Sequence, residues 1–166
     1  MKLVYVAAGF LVAKALAAQG ACKPMIDAEM KVFDTPTHVY TTTNVGGHIV
    51  TVESIYTGGL MYVKVNGGWS STGTTKSMAD MVQKRRQQHS DATCSYVRDE
   101  PVRGEAAALY TMNAQLSNGG KLVSQMWISK AKGLPLRQED DIESGGSGRK
   151  THNATRYEYA NVKAPM

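Results

Sequence analysis

"QMWISKAKGLPLRQED", residues 125–140, places an apolar run next to a charged one with only a Gly and a Pro between them. Side chains alternate along a strand, so Leu122, Ser124, Met126 and Ile128 share one face while Val123, Gln125, Trp127 and Ser129 share the other. Gly133 and Pro135 then turn the chain, and in "LPLRQEDDI" the alternation carries the charges outward. That pattern belongs to a sheet with one solvated face, and a turn this short requires antiparallel pairing.

Similar runs lie on both sides. Upstream, "DTPTHVYTTTN" (34–44), "GGHIVTVESIYTGG" (46–59) and "LMYVKVNGGWSS" (60–71) are rich in Thr, Val, Ile and Tyr and are bounded by Gly pairs. Asn66-Gly67 is a hairpin signal within the third. Downstream of Cys94, β-type runs return at 95–114, 119–132, 134–144 and 151–162, separated by Gly-rich turns.

Two segments differ in period. In "KPMIDAEMKVF" (23–33), Met25, Ile26, Met30 and Phe33 recur at helical spacing, with Pro24 fitting a first-turn position. In "TKSMADMVQKRRQQHSDATC" (75–94), Met78, Met81 and Val82 form a narrow apolar stripe, with Ser77 as the expected cap. The predicted order is helix, three strands, helix, then four or five strands. It makes an α+β domain: one large curved antiparallel sheet with two helices packed on one face.

The N-terminus reads as a leader. Lys2 precedes an apolar run and then Ala15-Leu16-Ala17, the basic, apolar, small-residue order of a secretory signal peptide. Residues 1–17 are therefore set apart, and residues 18–166 form a single domain, exported to the periplasm or secreted. The apolar run is shorter than the roughly 20 residues that cross a bilayer, so no transmembrane segment is expected in the mature chain. The net charge of +5 is small and scattered, which argues against nucleic acid as a partner. The one basic cluster, "QKRRQQH" (83–89), reads as a solvated helix face. Cys22 and Cys94 are the chain's two cysteines, and an oxidising compartment favours a disulfide between them. Lipid attachment at Cys22 is the alternative, against which stands Gln19 where a Leu-like residue is wanted.

No recognised chemistry emerges at short range. His38, His48, His89 and His152 stand at no zinc-type spacing. Glu139, Asp140, Asp141 and Glu143 cluster before a Gly-rich turn, where solvated charge is expected. "GGSGRKT" lacks the Gly-Lys-Thr ending of a phosphate loop, because Arg149 stands where the Gly should be. Neither a catalytic site, a metal nor a cofactor is expected, and the chain does not read as an enzyme. The notable inventory is nine Met beside eight Tyr, two Phe and two Trp, and flexible Met side chains suit adaptable apolar surfaces as well as irregular cores.

The assembled pattern resembles the periplasmic lipoprotein-carrier (LolA-like) superfamily. A leader, an early helix, "VKVNGGWS", a middle helix and then "MWISKAKGLPLRQED" follow in order, with Gly133, Leu134, Pro135, Leu136 and Arg137 matching the "GLPLR" motif. A closer resemblance is to a group of small exported proteobacterial proteins. The specific motif covers residues 127–138; the order of elements covers nearly all the mature chain. The resemblance implies an unclosed barrel whose helices cover a hydrophobic cavity for acyl chains, without catalysis.

Two functions compete. One is a non-enzymatic periplasmic binding protein for a lipid or other apolar ligand, lined by Met61, Val63, Val65, Met78, Met81, Leu109, Met126 and Ile128, chosen by strand alternation and helix stripe. The other is an envelope protein-interaction module with a packed core, anchored by residues such as Trp69, Tyr157 and Tyr159.

Overall fold

The computed structural model describes residues 7–88 and 91–165, with side chains given for 20–84 and 91–165. His89 lies outside the described residues. The order is α1 (Ala7–Asp34), β1 (Thr37–Val45), β2 (His48–Thr57), β3 (Leu60–Val65), β4 (Gly68–Thr74), α2 (Thr75–Gln88), β5 (Thr93–Val102), β6 (Glu105–Gln115), β7 (Lys121–Ser129), β8 (Pro135–Glu143) and β9 (Lys150–Glu158). The fold class is the expected α+β. Nine strands form one antiparallel sheet in the order β4-β3-β2-β1-β9-β8-β7-β6-β5.

That order is two meanders joined by one long-range pairing, β1 with β9. β4 and β5 are consecutive strands in the chain yet occupy opposite edges, so the sheet does not close, and α2 is the segment that bridges its two edges.

Tight turns build the meanders. Asn66 and Gly67 both take positive φ, 51° and 84°, the geometry a two-residue hairpin needs and the one their identity predicts. The segment after that turn, "GWSSTGT", is a fourth upstream strand beyond the three expected. Its only large apolar side chain is Trp69, so it carries no alternation to read.

Both helices depart from expectation at their starts. α1 extends back to Ala7, placing Pro24 inside it instead of in its first turn. A Pro there gives no N–H to the carbonyl four residues earlier. Thr74, not Ser77, caps α2: its hydroxyl accepts the Ser77 N–H at 3.1 Å, while the Ser77 hydroxyl donates back to the Thr74 carbonyl at 2.8 Å.

The sheet buries apolar side chains on both faces. On the helix face, Met25 and Ala28 of α1 pack on Met126 and Ile128 of β7, joined by Cys94, Tyr110 and Met112. On the outer face, Ala107, Leu109, Trp127 and Leu136 cluster with Val102 and Tyr159. What covers this second cluster is the β5–β6 hairpin, which curls back over the sheet. Arg103 at its tip donates Nη2–H to the Tyr157 carbonyl of β9 at 2.9 Å, across the intervening β7 and β8.

The disulfide between Cys22 and Cys94 is present, with Cα atoms 4.9 Å apart. It ties α1 to β5, the edge strand that α2 delivers. Among the described residues, no helix is long and apolar enough to cross a membrane.

Candidate ligand-binding face

Register decides which nominated residues can act together, because cross-strand partners share a face. Met61 pairs with Tyr56 and Val63 with Ser54. Tyr56 lies against Phe33 of α1, ring centres 5.7 Å apart, so this is the helix face. Met126 and Ile128 lie on that face too, beneath Met25 and Ala28.

Leu109 does not join them. It pairs with Trp127, whereas Met126 pairs with Tyr110, so Leu109 points to the outer face and is 2% exposed in the second cluster. The helix-face residues divide further. Met126 and Ile128 are sealed under α1 at 3% and 7% exposure, leaving no room for a ligand without moving the helix. Met61 and Val63 are half-buried, and Val65, at the end of β3, is 56% exposed. On α2, Met78 is half-buried and Met81 is 46% exposed.

Two residues that were not nominated belong with the open set. Val50 and Val52 of β2 alternate with Ser54 and Tyr56 and so face the helices, and both are exposed. The signal was in the sequence, as the alternation in "VTVESIY". At the open end of the helix face, then, β2 and β3 present Val50, Val52 and Val65 to water, with Val39 and Ser54 as a buried floor beside them. At the α1 end, the same face is filled.

Polar side chains also lie on this face, Thr41, Gln138, Asp140, Thr155 and Tyr157 among them, and these are hydrogen-bonded. Tyr157 donates to the Gln138 side chain at 3.1 Å, and burial raises its pKa well above the usual tyrosine value. Asp140 also lies on the helix face, opposite Ser124 and Asn153, and accepts from Gln138. The expectation that alternation carries the acidic run outward therefore holds for Glu139 and Asp141 but not for Asp140. Asp141 pairs across the strands with His152 at 2.8 Å, and Glu139 pairs with Arg137. Among the described residues, no three His, Cys, Asp or Glu side chains gather as a metal site would need. Trp69, Tyr157 and Tyr159 do not form one surface. Trp69 packs edge-on against His38 at 5.9 Å, Tyr157 is half-buried on the helix face, and Tyr159 donates to the Pro135 carbonyl at 2.5 Å.

Among the described residues, the clefts on the outer face include the following two. One, of about 580 Å³, lies between the curled hairpin and the strands β1, β9 and β8. The other, of about 520 Å³, surrounds the His152–Asp141 pair.

No family model matches the sequence, nor does any curated protein. Solved structures do match. MucB in complex with MucA(peri) is similar at 13% identity and a TM-score of 0.50, covering 89% of this chain and 59% of that one. LprF from Mycobacterium bovis gives 13% identity and 0.45 over 89% of this chain and 97% of that one. A LolA superfamily protein from Nitrosomonas europaea gives 11% and 0.31 over 85% and 91%. At such identities the likeness is one of fold, and the chain spans about three fifths of MucB. The likeness to MucB, at a TM-score of 0.50, is therefore one of overall fold.

Proposed function

We propose that this is an exported, non-enzymatic binding protein, freed of residues 1–17 in the periplasm, that takes a lipid or other apolar ligand against the open end of its helix face. The observation that carries this reading is the exposure of Val50, Val52 and Val65 beside half-buried Met61 and Val63, on the face that elsewhere is covered by helices. Apolar area gained from water at roughly 25 cal/mol per Å² supplies the affinity. Met78 and Met81 on α2 are the adaptable cover, since their unbranched side chains re-pack around varied shapes.

Native mass spectrometry of the protein purified from its own envelope, followed by organic extraction, tests the reading. A stoichiometric apolar adduct is expected, and it should be lost in Val65→Asp, which places a charge on an exposed position and leaves the core intact. An adduct that survives in Val65→Asp moves the site elsewhere, and a clean apo mass from gently handled protein opposes the reading.

A protein partner is the second reading. It is favoured by the filled α1 end of the helix face and by the fold shared with MucB, a protein seen in complex with MucA(peri). Cross-linking in the envelope that captures one partner at stoichiometry, together with an apo mass, would favour it.

A further inference from the structure

On the outer face, one cross-strand row joins four side chains on four strands: Trp127 pairs with Arg137, Arg137 with Arg156, and Arg156 with Tyr40. The Arg137 guanidinium lies 4.6 Å from the Trp127 ring centre, and that of Arg156 lies 4.1 Å from the Tyr40 ring centre. Each cation is thus oriented by an aromatic face. Yet the two are direct cross-strand partners, and like charges so placed are destabilising. All four side chains line the cleft of about 580 Å³.

A third guanidinium comes from the hairpin above. Arg103 holds a φ of 50°, a left-handed conformation that disfavours a side chain with a Cβ, and its Nη1 lies 3.3 Å from Glu158. The same Glu158 oxygen is 3.5 Å from Arg156, and Glu139 serves Arg137. Glu100 is engaged with the Trp127 indole N–H and with Arg98. Arg103, Arg137 and Arg156 are thus paired directly with two carboxylates, Glu158 and Glu139, with Glu100 of the same cleft also acting on Arg137, and each arginine keeps about half its side chain in water: 49% for Arg103, 50% for Arg137 and 50% for Arg156.

We propose that this cleft is a binding site for a phosphate-type oxyanion, held between Arg137 and Arg156 and closed by Arg103. Guanidinium forks match the oxygen spacing of phosphate and bind it with two parallel hydrogen bonds, and an anion bound beside these cross-strand partners would offset their repulsion. The chemistry is the same for a soluble phosphate and for the phosphate of a lipid headgroup. The site lies on the face opposite the apolar one, so it stands independently of that reading.

The experiment follows the arginine Nε–H resonances of the oxidised full-length mature protein during titration with inorganic phosphate at constant pH and ionic strength, with chloride as the exchanged ion. Saturable shifts at Arg137 and Arg156 are expected. Arg156→Gln should weaken binding about tenfold or more, as loss of a charged hydrogen-bond donor does, while Arg149→Gln in the β8–β9 turn should not. Arg137→Gln replaces the first variant if that one fails to fold. A parallel arm sediments the protein with vesicles of phosphatidylglycerol or phosphatidylcholine. Anionic-vesicle binding that Arg156→Gln abolishes names a lipid phosphate as the source. Phosphate binding without it names a soluble anion. Shifts that rise without saturating and no vesicle binding, or a variant that binds as the parent does, would overturn the site.

Discussion

Ser124 shows what register costs a single residue. Its place on β7 between Leu122 and Met126 turns it to the helix face, where it is 1% exposed opposite Met112 and Asp140, and its hydroxyl has no hydrogen-bond partner. An unsatisfied buried hydroxyl forfeits its hydration with nothing in return. Ser124→Ala is therefore expected to raise the unfolding free energy by about 1 kcal/mol, read as a higher urea midpoint at unchanged slope. A lower midpoint would mean that a buried water serves the hydroxyl. The faces of β7 were legible from strand alternation itself, with Ser124, Met126 and Ile128 opposite Gln125 and Trp127. Those of β6 were not: "EAAALY" offers three Ala in succession, so nothing in the strand fixes its phase, and only the pairing with Trp127 places Leu109 on the outer face, away from Met126.

Among the elements, α1 depends most on particular ties. Cys22 fastens it to β5, Lys31 Nζ donates to the Lys132 carbonyl in the β7–β8 turn at 3.3 Å, and Met25 and Ala28 lie between on β7. The disulfide closes a loop of 72 residues, worth on the order of 4 kcal/mol in the chain-entropy model. Reduction should lower the thermal midpoint and, by hydrogen exchange, loosen α1 more than β6 to β8, whose protection rests on paired neighbours on both sides. A uniform rise in exchange would show that the bridge holds the whole sheet and not the helix. Both helices and the downstream strands were readable from periodicity, and so was the pairing of the cysteines from compartment and parity. β4 was missed because a polar edge strand has no apolar alternation to declare it. The open apolar end was half-legible: β3 was expected there, but Val50 and Val52 of the neighbouring β2, which alternate with Ser54 and Tyr56, were missed.

At the scale of the molecule, the sheet's coiling could not be read from any segment. It arises because the β5–β6 hairpin folds over β7 to β9, and Arg103, Glu100 and Glu105 then meet residues far away in sequence. These long-range ties titrate. The hydrogen bond from Trp127 holds the Glu100 carboxyl below its ordinary value of 4.5, helped by Arg98. Glu105 is lowered by the Ser129 hydroxyl at 2.5 Å and by Lys132 at 3.0 Å. Asp99 is lowered by Lys130, and Glu53 by Lys64. In each case the folded protein holds the proton less tightly than the unfolded chain does. As pH falls through the ordinary carboxylate range the unfolded state takes up protons first, so stability is full above that range and is lost progressively below it. The thermal midpoint should accordingly be level near neutrality and fall below about pH 4.5. Glu105→Gln should lower the midpoint at neutral pH and make the acid decline shallower, because the variant has one fewer site at which the two states differ. An acid decline as steep in Glu105→Gln as in the parent would assign that share of the pH dependence to the other three carboxylates, and with it the main electrostatic tie between the hairpin and the sheet to Glu100 and Trp127.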